Sequence, residues 1–255
     1  MQPTPLATPT SLDTLPGFRR RFRVTPASDR VCSEVEDDYH CMRVTIHHDG
    51  RSATAIEAEM IRAPWTVCPG AVAQLERTFT GVSLDAFGTR GEKRDNCTHL
   101  HDLATLAAVH AFDERPLVYD ILVSDPVEGQ RRAELRRDGA TVLGWAHVNG
   151  QIVEPAQLKG VSLDQMRPWI DSLDPARQEA ARLLRWGTIL ANGRTISWDR
   201  QSDASRLPVG NCYTFQPHRL TQAKRIGAIR DFSQGTQPLE ERRPALSQQS
   251  NMMPE

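Results

Sequence analysis

Lysine is scarce. Of 31 basic residues only Lys93, Lys159 and Lys224 are lysines, so a Schiff-base mechanism has little to draw on. The five cysteines, at 32, 41, 68, 97 and 212, form no CxxC pair and are odd in number. That points to a reduced interior protein and not to a disulfide scaffold. No apolar run is long enough to span a bilayer, and no basic region followed by an apolar run stands at the N-terminus, so neither a membrane span nor a signal peptide is expected. The cytoplasm is the default location. A formal net charge of -1 provides no field toward nucleic acid or a membrane surface. GxGxxG after a strand, GxxxxGK[ST], GxSxG and HExxH are all missing, which argues against the commonest nucleotide-dependent, serine hydrolase and zincin plans. There is no internal repeat of short period.

What is present is an ordinary globular composition, 39% apolar and 25% charged over 255 residues, enough for one good core. Residues 1–16 are rich in Pro and Thr and read as a tail, as does the polar segment 234–255. Gly17–Val24 alternates basic and apolar residues, which suits a charge-protected edge strand. Tyr39–His47 and Ser52–Met60 alternate around Asp49-Gly50 and predict a long antiparallel hairpin with His40 on its apolar face. His47 and His48 flank that turn and are expected in solvent. Pro69 sits in the first turn of a helix through 71–79. Strands follow at 116–123, 132–139 and 141–148, then helices over 163–173 and 175–189, with Asp174 as N-cap and Pro175 in first position. The order is α+β: an antiparallel sheet of long hairpins packed with helices, one domain over 17–233, with a boundary near 115 that permits two related lobes.

The chemistry concentrates in Asp95-Asn96-Cys97-Thr98-His99-Leu100-His101-Asp102. Asp95, Asn96 and Thr98 are good N-cap types. Leu100, Leu103, Leu106, Ala107 and His110 recur at helical spacing. His99 and Asp102 stand three apart and can share a face. Cys97 would sit near the positive helix end, where a thiolate is favoured. His101 is expected on the surface. One reading is an amphipathic helix with a polar cap. The other places His99 in a pocket as an acid/base group, with Asp102 or Asp38 orienting an imidazole and His40 as a second candidate. Tyr39, Tyr119 and Tyr213 could donate to a phenolate or carboxylate, and Arg62 beside Trp65 could clamp an anion. A metal site is a rival, built from Cys97 and His99 with Cys68, His40 or His110, although CxH spacing alone is weak.

Taken together, Gly17-Phe18-Arg19-Arg20-Arg21, Glu36 to Val44, Cys68-Pro69-Gly70-Ala71, Arg94 to Leu100 and Cys212 to Pro217 resemble a bacterial family known as domain of unknown function 2889, over roughly residues 15–233. The resemblance implies an association with catabolism of aromatic, lignin-derived compounds. It implies a cofactor-independent carbon–carbon lyase, deformylating or decarboxylating, acting on a small phenolic substrate to give a stilbene. In this reading His99 is the base, Asp102 its orienter, and His40, Tyr39 and Arg62 contact the substrate. The alternatives are a metal-dependent hydrolase or lyase using Cys97, His99 and His40, and a non-catalytic aromatic-binding accessory protein. The expected partner is a small aromatic compound, not nucleic acid or membrane, and a homo-oligomer is compatible with the sequence.

Overall fold

A computed structural model describes residues 11–242. Eight strands form one antiparallel sheet: β1 (Gly17–Pro26), β2 (Arg30–Asp37), β3 (Cys41–His48), β4 (Ala53–Arg62), β5 (Leu117–Ser124), β6 (Gln130–Arg137), β7 (Ala140–Val148) and β8 (Gln151–Glu154). Their order is β4-β3-β2-β1-β5-β6-β7-β8. The expected α+β architecture is therefore present. The two halves on either side of residue 115 share this sheet through the pairing of β1 with β5.

The helices are α1 (Ala71–Phe79), α2 (Thr98–Val109), α3 (Arg167–Asp171), α4 (Pro175–Leu190) and α5 (Pro217–Leu220). Helix α4 begins on the anticipated cap: Asp174 accepts the Arg177 amide hydrogen at 3.0 Å. Helix α2 begins at Cys97 with no side-chain cap. Helices α2 and α4 cover the same sheet face. Ser33 of β2 donates to the Leu103 carbonyl of α2 at 2.8 Å, and Gly187 of α4 rests on Ile121 of β5, where a Cβ would stand 2.7 Å from the Ile121 Cγ2. Pairing through β1 places Ser33 and Ile121 on one face. The expected helix over 163–173 is a 3-10 turn at 163–165 followed by the short α3.

Strand β1 is central, not an edge. Charge does not protect it from pairing; Arg21 and Arg23 are paired across the face away from the helices. Arg21 meets Asp120 at 2.6 Å and Arg23 meets Glu34 at 2.7 Å. Of the expected tails, residues 1–10 and 243–255 lie outside the described residues. The remainder of each packs. Arg19 donates to the Leu12 and Leu15 carbonyls at 2.6 Å, and buried Leu239 donates its amide to Glu36 at 2.8 Å. Among the described residues no helix is long and apolar enough to cross a membrane.

Candidate functional site

The tight turn between β2 and β3 creates the first element of the site. Asp37, fully buried, accepts the amide hydrogens of Tyr39 and His40, each at 2.8 Å. Asp37 Oδ1 also lies 3.0 Å from His40 Nδ1. Arg20 of β1, directly opposite in register, pairs with the second carboxylate oxygen. Burial pushes the Asp37 carboxyl up, but His40 and Arg20 outweigh it and hold the group well below the usual carboxylate range. An ionised carboxylate only accepts, so His40 Nδ1 carries a proton toward Asp37, and Nε2 is the ring nitrogen left for a ligand.

The start of α2 supplies the second element. The His99 ring lies against that of His40, with centroids 4.0 Å apart and planes 31° from parallel. Burial, followed by the charges of His40 and Arg20, pulls the His99 pKa well below its ordinary value. His99 is thus a neutral imidazole. Trp186, in the last turns of α4, lies 6.2 Å from it.

The third element is the segment after α4. Gly193 takes the Tyr39 ring so closely that a Cβ there would be 2.8 Å from the phenol oxygen. Trp198 stands 5.6 Å from Tyr39 and 6.3 Å from Trp65. Arg194 holds this segment down, pairing with Asp38 at 2.7 Å and Asp125 at 2.8 Å. Burial raises Asp38 to about 7 against the opposing pull of Arg194.

The cluster is rich in unanswered polar atoms. Tyr39 Oη, Asp38 Oδ1, His99 Nε2, Trp186 Nε1, and Arg20 Nε and Nη2 are buried and find no hydrogen-bond partner among the described residues. Burying a polar atom without a partner costs roughly 1–3 kcal/mol, so such a concentration makes this cluster a candidate place to meet something polar. Burial also pushes the Tyr39 phenol well above its ordinary pKa, so it stays a donor.

Several expected residues are placed otherwise. Asp102 pairs with Lys93 and is half-exposed, so it does not orient His99. Asp38, the other candidate orienter, is engaged by Arg194; Asp37 holds the imidazole instead. Arg62 donates to the Asp37 and Asp38 carbonyls, each at 2.7 Å, and to Glu36 at 3.0 Å. It shapes the β2–β3 turn, with both Nη2 hydrogens and one Nη1 hydrogen spent there. Trp65 belongs to the aromatic surround. Tyr213 lies under Arg219, 3.7 Å from its ring centroid, and its amide ties this segment to Asn96 at 2.8 Å. Tyr119 is at the other end of the helix face, donating to Glu179 at 2.7 Å. His101 is buried against Phe79, with centroids 5.0 Å apart. His48 is buried too, edge-on to Phe112.

Cys97 is no thiolate: burial pushes it up far more than the helix end can lower it. Its sulfur is 3.9 Å from His99 Nδ1. Cys68, raised to about 11 by burial, faces Thr214 at 3.2 Å. Among the described residues no group of three His, Cys, Asp or Glu side chains gathers as metal ligands would, so Cys97, His99 and Cys68 are not brought together as a ligand set.

Sequence reasoning missed Asp37, Arg20, Trp186 and the 193–198 segment. Only Asp37 left a local signal, a carboxylate three residues before a histidine in a turn. No protein-family model matches the chain, and no curated protein matches it either.

Proposed function

We propose that the chain is a cofactor-independent acid/base lyase that cleaves a carbon–carbon bond in a small phenolic, lignin-derived compound and leaves a stilbene. The observation that carries this reading is the pair of facing imidazoles, one fixed through Nδ1 by a buried carboxylate and the other kept neutral inside an aromatic surround. The resemblance to the unknown-function family 2889 is part of the proposal. Its support is that the quoted segments contribute Arg20, Asp37, His40 and His99 to one cluster.

The chemistry is redox-neutral and balances without a co-reactant. A phenol para to a benzylic alcohol loses its proton and expels hydroxide, which leaves as water, to give a quinone methide. His40, acting through Nε2 in its unprotonated form, then takes the proton of a neighbouring hydroxymethyl group. The carbon–carbon bond breaks, formaldehyde departs, and the electron pair restores the phenolate and forms the alkene. A 1,2-diarylpropane-1,3-diol thus becomes a stilbene, water and formaldehyde. His99 accepts or relays the proton, Tyr39 and the Trp186 indole donate to developing anions, and the tryptophans exclude water. Asp37 plays the orienting part that spacing had assigned to Asp102.

Incubation with a 4-hydroxylated 1,2-diarylpropane-1,3-diol tests this. The expected result is stilbene absorbance rising with equimolar formaldehyde. A ligand that raises the melting temperature and is recovered intact would favour the aromatic-binding accessory reading instead. Neither turnover nor stabilisation would overturn both.

A further inference from the structure

Arg20 is the strangest charge in the molecule. It stands on the helix-facing side of the central strand, 1% exposed, between Phe18 and Phe22 in the strand's alternation. Its guanidinium lies 4.7 Å from the Phe22 ring centroid. Asp37 answers it through Nη1 alone. Nε and Nη2 have no partner among the described residues. These two nitrogens bound one edge of the guanidinium, where their N–H bonds run parallel at the spacing of the two oxygens of a carboxylate. The other arginines around the site are committed: Arg62 to the β2–β3 turn, Arg194 to Asp38 and Asp125, and Arg131 to the Ala191 carbonyl at 3.1 Å. Asp37 cannot take up the spare edge, because it already receives two amides and an imidazole.

We infer that the Nε–Nη2 edge of Arg20 is a carboxylate subsite, so that the His40–His99 site takes an aromatic acid in preference to its neutral counterpart. This rests on the proposed function and narrows its substrate class. It also gives binding a consequence for reactivity. The positive charge of Arg20 is one of the influences that depress His99. A carboxylate seated on Arg20 cancels that charge, so His99 becomes a better base only when an acid is bound. Asp37 and His40 face His99 from the turn and remain in place, so the change comes from the ligand alone.

The test is equilibrium binding, which is separate from turnover. Calorimetry on the full chain compares 4-hydroxycinnamate with its methyl ester. The acid is expected to bind roughly tenfold or more tightly than the ester, as hydrogen bonds to a charged group imply. In Arg20→Lys, which keeps a cation for Asp37 but lacks the edge, that preference should vanish while the ester is held as before. Should Arg20→Lys not fold, the wild-type protein still decides: the Arg20 Nε–H resonance and the His99 ring nitrogens should shift with the acid and stay unmoved with the ester. Equal binding of acid and ester, no binding of either, or an Nε–H resonance indifferent to the acid would overturn the subsite and leave that edge to water. Turnover of neutral phenols with no acid preference would sink the subsite and spare the lyase. Acid binding through Arg20 without turnover would do the reverse.

Discussion

Helix α2 carries a buried histidine at each end, and the two are built on opposite principles. At its start, His99 faces His40 over Asp37 and Arg20, and polar atoms go unanswered. Just past its end, His110 lies 2.7 Å from Asp113 and 3.0 Å from Glu179, while Tyr119 donates to the same Glu179. Each side chain of that second cluster has a partner among the described residues. It joins α2, α4 and β5, the elements that fix the distance between His99 and Trp186. The two also polarise their histidines in opposite senses. Burial leads at both, yet at His110 the two carboxylates prevail and the pKa rises, whereas at His99 neighbouring positive charge adds to burial and it falls. The satisfied cluster is a clasp; the unsatisfied one is the candidate site.

Breaking the site at its carboxylate should have the largest effect. Asp37→Asn leaves the Arg20 charge buried and unpaired, and loss of one partner of such a pair costs about 3–5 kcal/mol. Chemical denaturation should show that loss together with lost turnover. Breaking the clasp should cost less. Glu179→Gln weakens bonds to both Tyr119 and His110 and should lower stability by roughly 1–3 kcal/mol, with turnover surviving below the new melting temperature. If Glu179→Gln instead abolished turnover in folded protein, the two clusters would not be separate.

The pH dependence sharpens the contrast further. His110 has a folded pKa raised above 6.5, so its contribution is present below that value and disappears as pH rises through the higher folded value. His110→Gln should therefore cost more stability at about pH 6 than at about pH 9. His99 is the mirror case. Its pKa is lowered, so the stability it contributes is present above 6.5 and is lost as pH falls. Denaturation of His99→Gln between about pH 7 and pH 5 should show a shallower acid decline than the wild type. The smallest effect belongs to His147, which burial and Arg131 lower to about 4. His147→Gln should alter the same acid limb without touching turnover.

The elements were largely legible in the sequence, because alternation and turn residues act locally. The β3–β4 hairpin, α1, α2, α4 and strands β5 to β7 all carry such signals. Strand β2 does not. Both of its faces are buried, so Glu34 and Glu36 fall among Val31, Cys32 and Val35 with no readable period. The arginines of β1 suggested an edge because the partners that neutralise them, Asp120 and Glu34, lie on other strands. The site was half legible. His40, His99 and Tyr39 were visible as chemistry, but spacing along α2 pointed to Asp102, which faces Lys93. The carboxylate that matters arrives by register, Asp37 opposite Arg20, and the tryptophans arrive by the packing of α4 and the segment after it.

The most direct measurement is the rate of stilbene formation from a 4-hydroxylated 1,2-diarylpropane-1,3-diol by His40→Gln and His110→Gln, side by side with the wild type at a temperature where all are folded. The account predicts that His40→Gln loses roughly 10²–10⁴-fold and that His110→Gln turns over at nearly the wild-type rate. Full activity in His40→Gln, or loss confined to His110→Gln, would contradict it.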